Sequence, residues 1–200
     1  INFLLITLFS SLATGGAVIA SQYIGRGDHK SASLAAKQLF YASLALSAVL
    51  GIIAVFFRKP VLNMVFGSIE ADVMAHAQIY FLLSAISYPF LAVYNAGAAL
   101  FRSMGDSRTT MLISILMNTI NIVGNAILIY GFQMAAAGAA TASLVSRAVG
   151  AIIITVLLLN PHRIIFYDKL HKPEIHLSML KSILQIGVPN GLENSIFQIG

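Results

Sequence analysis

Six long apolar stretches limit what this 200-residue sequence can fold into. A helix needs about 20 apolar residues to cross roughly 30 Å of hydrocarbon, and none of the stretches shows the alternation typical of a membrane β-barrel. The sequence therefore predicts an all-α polytopic membrane protein. The predicted spans are Phe3–Ile24, Leu39–Phe57, Ala71–Phe101, Met111–Phe132, Ala135–Leu159 and a sixth that begins near Ile183 and is still apolar at Gly200.

The composition supports this fold class. Hydrophobic residues make up 58% of the chain and charged residues 10%, against about 45–50% and 25% in soluble domains. Too few polar groups are present to cover a soluble enzyme, a disordered tail or a coiled coil. The net charge of +5 lies in short loops between apolar runs, so it predicts membrane orientation and no nucleic-acid partner. With no cysteine, disulfides and thiolate metal sites are excluded.

The distribution of Lys and Arg predicts the topology. Nine of these residues lie in the loops after the first, third and fifth spans, and two lie after the second. By the positive-inside rule the odd-numbered loops are cytoplasmic, as in a multi-pass plasma membrane protein. Ile1 would then lie on the outer side of the membrane, although no segment before it in this sequence could carry it across. The sequence also stops within an apolar run. We therefore expect a fragment of a longer chain.

Two of the predicted cytoplasmic loops share the pattern Gly-Asp-x-[Lys/Arg]-[Ser/Thr]. Glycine can take the left-handed conformation that ends a helix, and aspartate can cap the next one. The plainer interpretation is a tight turn used twice, and composition alone favours it over a functional role. The residues singled out are Gly25, Gly27 and Asp28 in the first turn and Gly105, Asp106 and Arg108 in the second.

Polar residues at membrane depth are the candidate site residues. Asn118, Asn121 and Asn125 share one face of the fourth span, and Arg147 lies within the fifth. Lipid cannot satisfy their polar groups, so they must face other helices or water. Interhelical hydrogen bonding and the wall of a polar cavity are both open interpretations.

Other features of the spans have two interpretations each. Pro89 and Pro189 are predicted to kink their helices. Glu193 lies within the sixth span, where desolvation would raise its pKa and make it a candidate proton carrier. If it lies close to the interface, it is instead a solvated glutamate with no special role. Asp72 and His76 lie one turn apart, which favours a hydrogen bond over a metal pair.

The stretch from Asn160 to Ser182 is the longest polar segment and is interpreted as an interdomain linker. Its three histidines, at positions 162, 171 and 176, match no zinc-binding spacing, so no metal site is predicted.

These pieces resemble the multidrug and toxic compound extrusion (MATE) family, through their order and spacing. The resemblance implies a partial MATE fold from a transporter of two six-helix lobes. Residues 1–159 would belong to the first lobe without its first helix, 160–182 would be the cytoplasmic interlobe linker, and 183–200 would start the second lobe. The similar segments are Ala20–Asp28, Phe101–Thr109, Asn118–Gly131 and Ile186–Glu193.

The resemblance also implies an activity: export of cationic amphipathic drugs or xenobiotics in exchange for H⁺ or Na⁺, by a monomer with no cofactor. Asn118, Asn121, Asn125 and Arg147 would line the transport cavity, and Glu193 would be the candidate coupling group. Two departures leave the coupling ion open. Family members often carry an acid where this sequence has Asn125, and a glutamate where it has Phe197.

The sequence favours three alternative functions less strongly. A lipid-linked sugar or lipid flippase of the same wider superfamily would have a more basic cavity, and only Arg147 favours it. An intramembrane enzyme is disfavoured because His76 and Ser84 lack a nucleophile turn, so no enzyme is predicted. A passive channel would need a ring of charge, which the sequence does not show.

Overall fold

The fold is a bundle of long helices, seen in a computed structural model that describes residues 2–67, 70–168, 170 and 174–199. Five described helices are long and apolar enough to cross a membrane, which confirms the predicted all-α membrane fold. The helices are α1 (Asn2–Gly25), α2 (His29–Phe56), α3 (Arg58–Phe66), α4 (Ala71–Ser103), α5 (Ser107–Ala126), α6 (Ala135–Leu158) and α7 (Leu177–Ile199), with a π-helical turn at Ile127–Gly131 between α5 and α6.

Three helices begin earlier than the apolar pattern predicted, and α5 does so by one turn, at Ser107 instead of Met111. The helix α2 begins at His29 instead of Leu39, because its polar first turns are capped by Asp28 and packed against the rest of the chain. The helix α7 begins at Leu177 instead of Ile183. The short helix α3 was not predicted, because Pro60 argued against a helix. Proline is tolerated there because Pro60 lies in the first turn of α3.

The helix α4 is the centre of the bundle and packs against α1, α2 and α6. Its Tyr88 is 1% exposed and lies 6.1 Å from the ring of Phe9 in α1. On the α6 side, Gly97 leaves room for Ile154, whose side chain would lie 2.9 Å from an added Cβ. Every other long helix is therefore positioned directly or indirectly by α4.

The contact between α2 and α4 lies where Pro89 interrupts the backbone hydrogen bonding of α4. Proline has no N–H, so the carbonyl of Ala85 loses its partner one turn earlier. A Cβ on Gly51 of α2 would lie 3.2 Å from that carbonyl oxygen. Glycine therefore lets α2 approach the freed carbonyl. The helix α4 continues through Pro89, and the kink there stays a prediction.

The helices α1 and α7 cross with their backbones in contact. A Cβ on Gly15 would lie 2.6 Å from the carbonyl oxygen of Ile183 and 2.8 Å from the nitrogen of Gly187. A Cβ on Gly187 would lie 3.1 Å from the Cα of Leu12. Gly187 and Gly191 form the small-xxx-small spacing that permits such close crossings. The start of α7 is thereby fixed against α1.

Candidate functional site

The first Gly-Asp turn joins α1 to α2 with a specific set of backbone hydrogen bonds. The Asp28 N–H donates to the Tyr23 carbonyl at 3.0 Å, and Gly27 has φ of 74°. This is the helix ending that a left-handed glycine allows. The Asp28 carboxylate then accepts from the Ser31 N–H at 3.0 Å, which caps α2 and, with other bonds from Ser31, lowers the pKa of Asp28.

The second Gly-Asp turn repeats this geometry between α4 and α5. The Asp106 N–H donates to the Phe101 carbonyl at 2.9 Å, and Gly105 has φ of 80°. Asp106 accepts from the Thr109 N–H at 3.1 Å and from the Thr109 hydroxyl at 2.7 Å. The predicted helix-ending glycine and capping aspartate are therefore confirmed in both turns. Gly25 and Arg108, also singled out in the sequence, are exposed.

Asp106 has a third partner that sequence reasoning missed. Arg163 lies in the connecting segment, which we define as residues 159–176, and its Nη1 lies 2.9 Å from the Asp106 Oδ2 with both side chains 29% exposed. The guanidinium also lies 4.9 Å from the centroid of the Phe101 ring, a cation–π distance. Hydrogen bonds from Thr109, together with Arg163, hold the pKa of Asp106 below its usual value.

The connecting segment is also fixed by a buried tyrosine. The Tyr167 N–H donates to the carbonyl of Leu158 at 2.6 Å, and its ring lies 5.3 Å from that of Phe40 in α2. Tyr167 is 3% exposed, and this burial raises the pKa of its phenol. Within the part of the chain that the structure describes, the Tyr167 hydroxyl has no hydrogen-bond partner.

A buried glutamine in α2 holds the end of the segment. Gln38, which is 1% exposed, donates through its amide nitrogen to the carbonyl of Glu174. It also accepts from the His176 N–H at 3.2 Å. One turn away, the Tyr41 hydroxyl donates to the carbonyl of Leu170 at 2.5 Å. The described parts of the connecting segment therefore contact α2 at several points, from Phe166 to His176.

The histidines of this stretch do not form a metal centre in the described residues. Over 2–67, 70–168, 170 and 174–199, no group of three or more His, Asp or Glu side chains could hold a metal ion. His162 and His176 belong to that region, whereas His171 lies outside the described residues.

The amide face of α5 joins α6 through a short chain of hydrogen bonds. The Asn125 amide nitrogen donates to the Asn121 Oδ1 at 3.1 Å, and the Asn121 amide nitrogen donates to the Ser143 hydroxyl at 3.1 Å. Asn118 is exposed. Asn121 thus makes the interhelical contact that one interpretation predicted, whereas Asn125 bonds Asn121 within α5.

Arg147 lies one turn beyond Ser143 on the same face of α6. Its Nη1 donates to the Ser87 hydroxyl of α4 at 2.6 Å, a partner that the sequence did not reveal. Among the described carboxylates, none lies within ion-pair distance of Arg147. The described region thus provides this cation with a neutral acceptor, the Ser87 hydroxyl.

The packing of α5 on α6 brings these groups into one layer. Met117 touches Gly150, whose Cβ position lies 2.2 Å from the Met117 sulfur. Together with the Asn121–Ser143 contact, this antiparallel register places Asn118 at the depth of Arg147. We call the hydrogen-bonded residues Ser87, Asn121, Asn125, Ser143 and Arg147, together with the exposed Asn118, the polar layer; it extends over about two turns of α5.

One amide oxygen of the polar layer can still accept a hydrogen bond. Over the described residues, the Asn125 Oδ1 is buried and has no hydrogen-bond partner. The same holds for the Asn95 Nδ2 of α4, which sequence reasoning missed because a single amide in an apolar span carries no spacing signal. A buried amide without a partner is costly in hydrocarbon, so Asn125 is suited to accept from a bound group.

Glu193 is not part of the polar layer. It is exposed on α7, whose helix continues through Pro189. The neighbouring Asn194 donates to the carbonyl of Asn190 at 2.9 Å. The side chain of Phe197 lies outside the described residues.

Comparisons with known proteins agree with this architecture. The MatE family profile matches residues 1–127. The chain is 31% identical to the uncharacterized transporter YisQ of Bacillus subtilis (strain 168), covering 98% of this chain and 43% of that protein. It is 30% identical to the probable multidrug resistance protein NorM of Thermotoga maritima, covering 93% of this chain and 40% of that protein.

A solved structure shares the same arrangement of helices. The crystal structure of MATE in the bent conformation superposes with a TM-score of 0.83 at 26% identity, covering 98% of this chain and 44% of the solved one. The chain thus spans less than half the length of the relatives it matches. With the family profile covering more than half of its residues, the chain belongs to the MatE family of multi-pass membrane transporters.

Proposed function

We propose that this chain is part of a secondary transporter that exports cationic amphipathic compounds in exchange for H⁺ or Na⁺ by alternating access. The observation that carries the proposal is the polar layer, and in it the buried Asn125 Oδ1 without a partner in the described region. An amide oxygen can accept from the N–H of an organic cation or coordinate Na⁺. Family membership supports transport, and the NorM relative is named as a multidrug resistance protein.

An ion gradient can supply the energy for such exchange. One charge moving down 100 mV releases about 2.3 kcal/mol. The ion drives transport only if it binds one conformation more tightly than the other. Asn118, Asn121, Asn125 and Arg147 are proposed to face the first-lobe cavity, and Glu193 is proposed as the ion-coupling group contributed from α7.

The proposed division of the chain follows from the same function. Residues 1–159 would form part of the first lobe, 160–182 the cytoplasmic linker and 183–200 the start of the second lobe. The clustering of Lys and Arg supports the cytoplasmic position of the linker. In this arrangement the crossing of α1 and α7 at Gly15 and Gly187 would be a contact between lobes.

The test is efflux of an organic cation, such as ethidium, from proteoliposomes containing the full-length protein. An inward H⁺ or Na⁺ gradient should drive efflux, and Asn125→Ala should slow it. Thr119→Ala is the matched control, because Thr119 is exposed on another face of α5 and bonds only its own helix. No gradient-driven efflux would refute the function, and unchanged coupling in both Asn125→Ala and Glu193→Gln would refute the site assignment.

A second candidate function is favoured by Arg147. A flippase for a lipid-linked sugar must bind a phosphate or pyrophosphate, which a guanidinium recognises with two parallel hydrogen bonds. Arg147 has no carboxylate partner among the described residues. Movement of a fluorescent pyrophosphate-linked lipid separates the two proposals: a flippase should move this lipid and lose that activity in Arg147→Gln, whereas a cation exporter should not move it.

A further inference from the structure

We propose that an anionic phospholipid binds along α2 and α4, with its phosphate at the start of α3. One acyl chain would lie in two adjoining apolar grooves of about 400 and 290 Å³, and Arg58 and Lys59 would bind the headgroup. We call the two grooves together the acyl trench, which extends along α2 from Phe56 to Phe40. The site is separate from the polar layer, and its test needs no transport activity.

The first groove of the trench forms because small residues lie between large ones. Gly51 of α2 and Ala85 of α4 are buried at its base, whereas Ile52 and Ile86 beside them are 56% and 46% exposed. Phe56, at the α3 end of the groove, is 80% exposed. Every residue that lines this groove is apolar, so an apolar occupant would stabilise it by removing these side chains from water.

The second groove continues the first. Pro89 of α4 lines both grooves. Along α2, Leu44 of the second groove is followed by Ala48 and Ile52 of the first at intervals of four residues, which places the three on one side of the helix. The second groove then extends to α6, where Ile152 lines it. One flexible chain can therefore pass from one groove into the other along this side of α2.

The length of the trench matches one acyl chain. A helix rises about 1.5 Å per residue, so the stretch of α2 from Phe56 to Leu44 is about 18 Å long. One leaflet of a bilayer contributes about 15 Å of hydrocarbon. A chain that enters beside Phe56 therefore ends near Leu44, in the second groove, and stays within its own leaflet.

The helix α3 sets the depth of the headgroup. Phe57, Pro60 and Met64 share one face at spacings of three and four residues, and Phe57 and Met64 are 58% and 90% exposed. On the opposite side Leu62 is 6% exposed, and α3 packs on α4. An apolar face that stays exposed at the end of a membrane span is typical of a helix lying in the interface. The start of α3 is therefore at the depth of the lipid phosphates.

Two bases lie at this depth beside the trench. Lys59 follows Val55, a residue of the trench, by four positions, and Arg58 precedes it. In the described part of the chain neither base forms an ion pair, and the acids closest to them along the chain, Glu70 and Asp72, are exposed. A phosphate would supply acceptor oxygens, which a guanidinium binds with two parallel hydrogen bonds and an ammonium binds as a point charge.

The charge of these bases selects the headgroup. The phosphate of phosphatidylglycerol carries a negative charge that nothing else in the lipid offsets, whereas phosphatidylcholine carries a positive ammonium as well. A base near the membrane surface strengthens the binding of an anionic lipid about fivefold. The arrangement therefore favours an anionic phospholipid over a zwitterionic one.

The test is photo-crosslinking in proteoliposomes that contain the full-length protein. Phosphatidylglycerol and phosphatidylcholine with a diazirine at the same position of one acyl chain are added separately, each as a small fraction of unlabelled phosphatidylcholine. We expect phosphatidylglycerol to label the peptides that contain Ile52 and Ile86 about fivefold more than phosphatidylcholine does. Equal labelling by the two lipids, or labelling by neither, would overturn the proposal.

Variants of the two bases test the headgroup contact. Lys59→Gln and Arg58→Gln should each lower labelling by phosphatidylglycerol about fivefold, while labelling by phosphatidylcholine changes little. Lys30→Gln removes an exposed base at the opposite end of α2 and should leave labelling of the trench unchanged. Unaltered labelling in both Lys59→Gln and Arg58→Gln would contradict the headgroup assignment.

Two substitutions to phenylalanine in α2 test the trench itself. Ala48 lines the first groove, whereas Ala45 is exposed and lies outside both grooves. Ala48→Phe should lower labelling and Ala45→Phe should not; Thr155→Phe, in the second groove, gives the same readout if Ala48→Phe does not fold. Equal labelling in the variants inside and outside the trench would refute the acyl site.

Free glycerol phosphate distinguishes a lipid from a soluble phosphate compound. Without an acyl chain it gains nothing from the trench, so an excess of it should leave the labelling by phosphatidylglycerol unchanged. Loss of labelling in its presence would show a small-molecule phosphate site and overturn the lipid assignment.

Discussion

Replacing Asp106 with alanine should destabilise the folded protein more than replacing Asp28, although the two residues cap their helices in the same way. Asp28 accepts from Ser31, and Asp106 accepts from Thr109 and also from Arg163. The two turns therefore form a matched pair in which only one is joined to the connecting segment.

The expected magnitude follows from these contacts. Loss of a helix N-cap costs about 1 kcal/mol. The Arg163–Asp106 ion pair spans 2.9 Å but is 29% exposed at each side chain, so it contributes only about 0.5–1 kcal/mol. Loss of the Thr109 hydroxyl bond adds a similar amount. Asp106→Ala should thus lower the free energy of unfolding by about 2 kcal/mol, and Asp28→Ala by less.

The assay is reversible unfolding of the full-length protein in mixed micelles, followed by circular dichroism as SDS is added. Asparagine also caps helices, so a double-mutant cycle between Asp106→Asn and Arg163→Gln isolates the ion pair. The coupling energy should be about 0.5–1 kcal/mol. A coupling below about 0.3 kcal/mol, or an equal loss in Asp28→Ala and Asp106→Ala, would refute the assignment of Arg163 as an anchor.

The same ion pair predicts a pH dependence. The pKa of Asp106 is lowered in the folded state, first by Thr109 and then by Arg163. Its contribution is therefore complete above the unfolded pKa of about 3.9 and is lost as the pH falls through the lower folded value. The difference in stability between the wild type and Asp106→Asn should shrink below about pH 4; a difference that grows on acidification would contradict this sign.

Three further predictions concern packing and hydrogen bonding. Gly15→Ala should destabilise the folded protein by about 1–3 kcal/mol, because its Cβ would lie 2.6 Å from a backbone oxygen; an unaltered thermal midpoint would contradict the backbone contact. Tyr167→Phe should be neutral or stabilising in the same assay, since the hydroxyl is buried without a partner among the described residues; a loss above about 1 kcal/mol would reveal a missed partner. Ser143→Ala should cost about 0.6 kcal/mol, the mean for interhelical bonds in membranes, and a matched Ser182→Ala on α7, whose hydroxyl bonds only its own helix, should cost less.

The fold class was predictable because hydrocarbon imposes length and composition on every span. The two Gly-Asp turns were predictable for a similar reason, since left-handed glycine and capping aspartate act over a few neighbouring residues. The beginning of α2 was not, because Lys30 and Lys37 interrupt the apolar pattern although both lie in the helix and Lys37 is buried. A hydropathy pattern cannot distinguish a solvent-exposed loop from a polar helix that another segment of the chain covers.

The partners within the candidate site were less predictable than its members. The spacing of Asn121 and Asn125 placed them on one face, and the structure joins them to Ser143. Nothing in the sequence indicated that Arg147 would meet Ser87, which is sixty residues away in the chain. Such pairs depend on which helices are neighbours and on the depth of each residue in the membrane. A single sequence does not contain this information.

The crossing of α1 and α7 has a consequence for any rocking motion of this protein. Backbone atoms at Gly15 and Gly187 touch with no side chain between them, and the connecting segment is fastened to α2 by Gln38 and Tyr167. Gly191, beyond Pro189, also packs on α1, because its Cβ position lies 3.3 Å from the Cβ of Ser11. Both sides of Pro189 therefore rest on α1, so this stretch of α7 would move together with α1, and the hydrogen bond that proline removes would not by itself create a pivot.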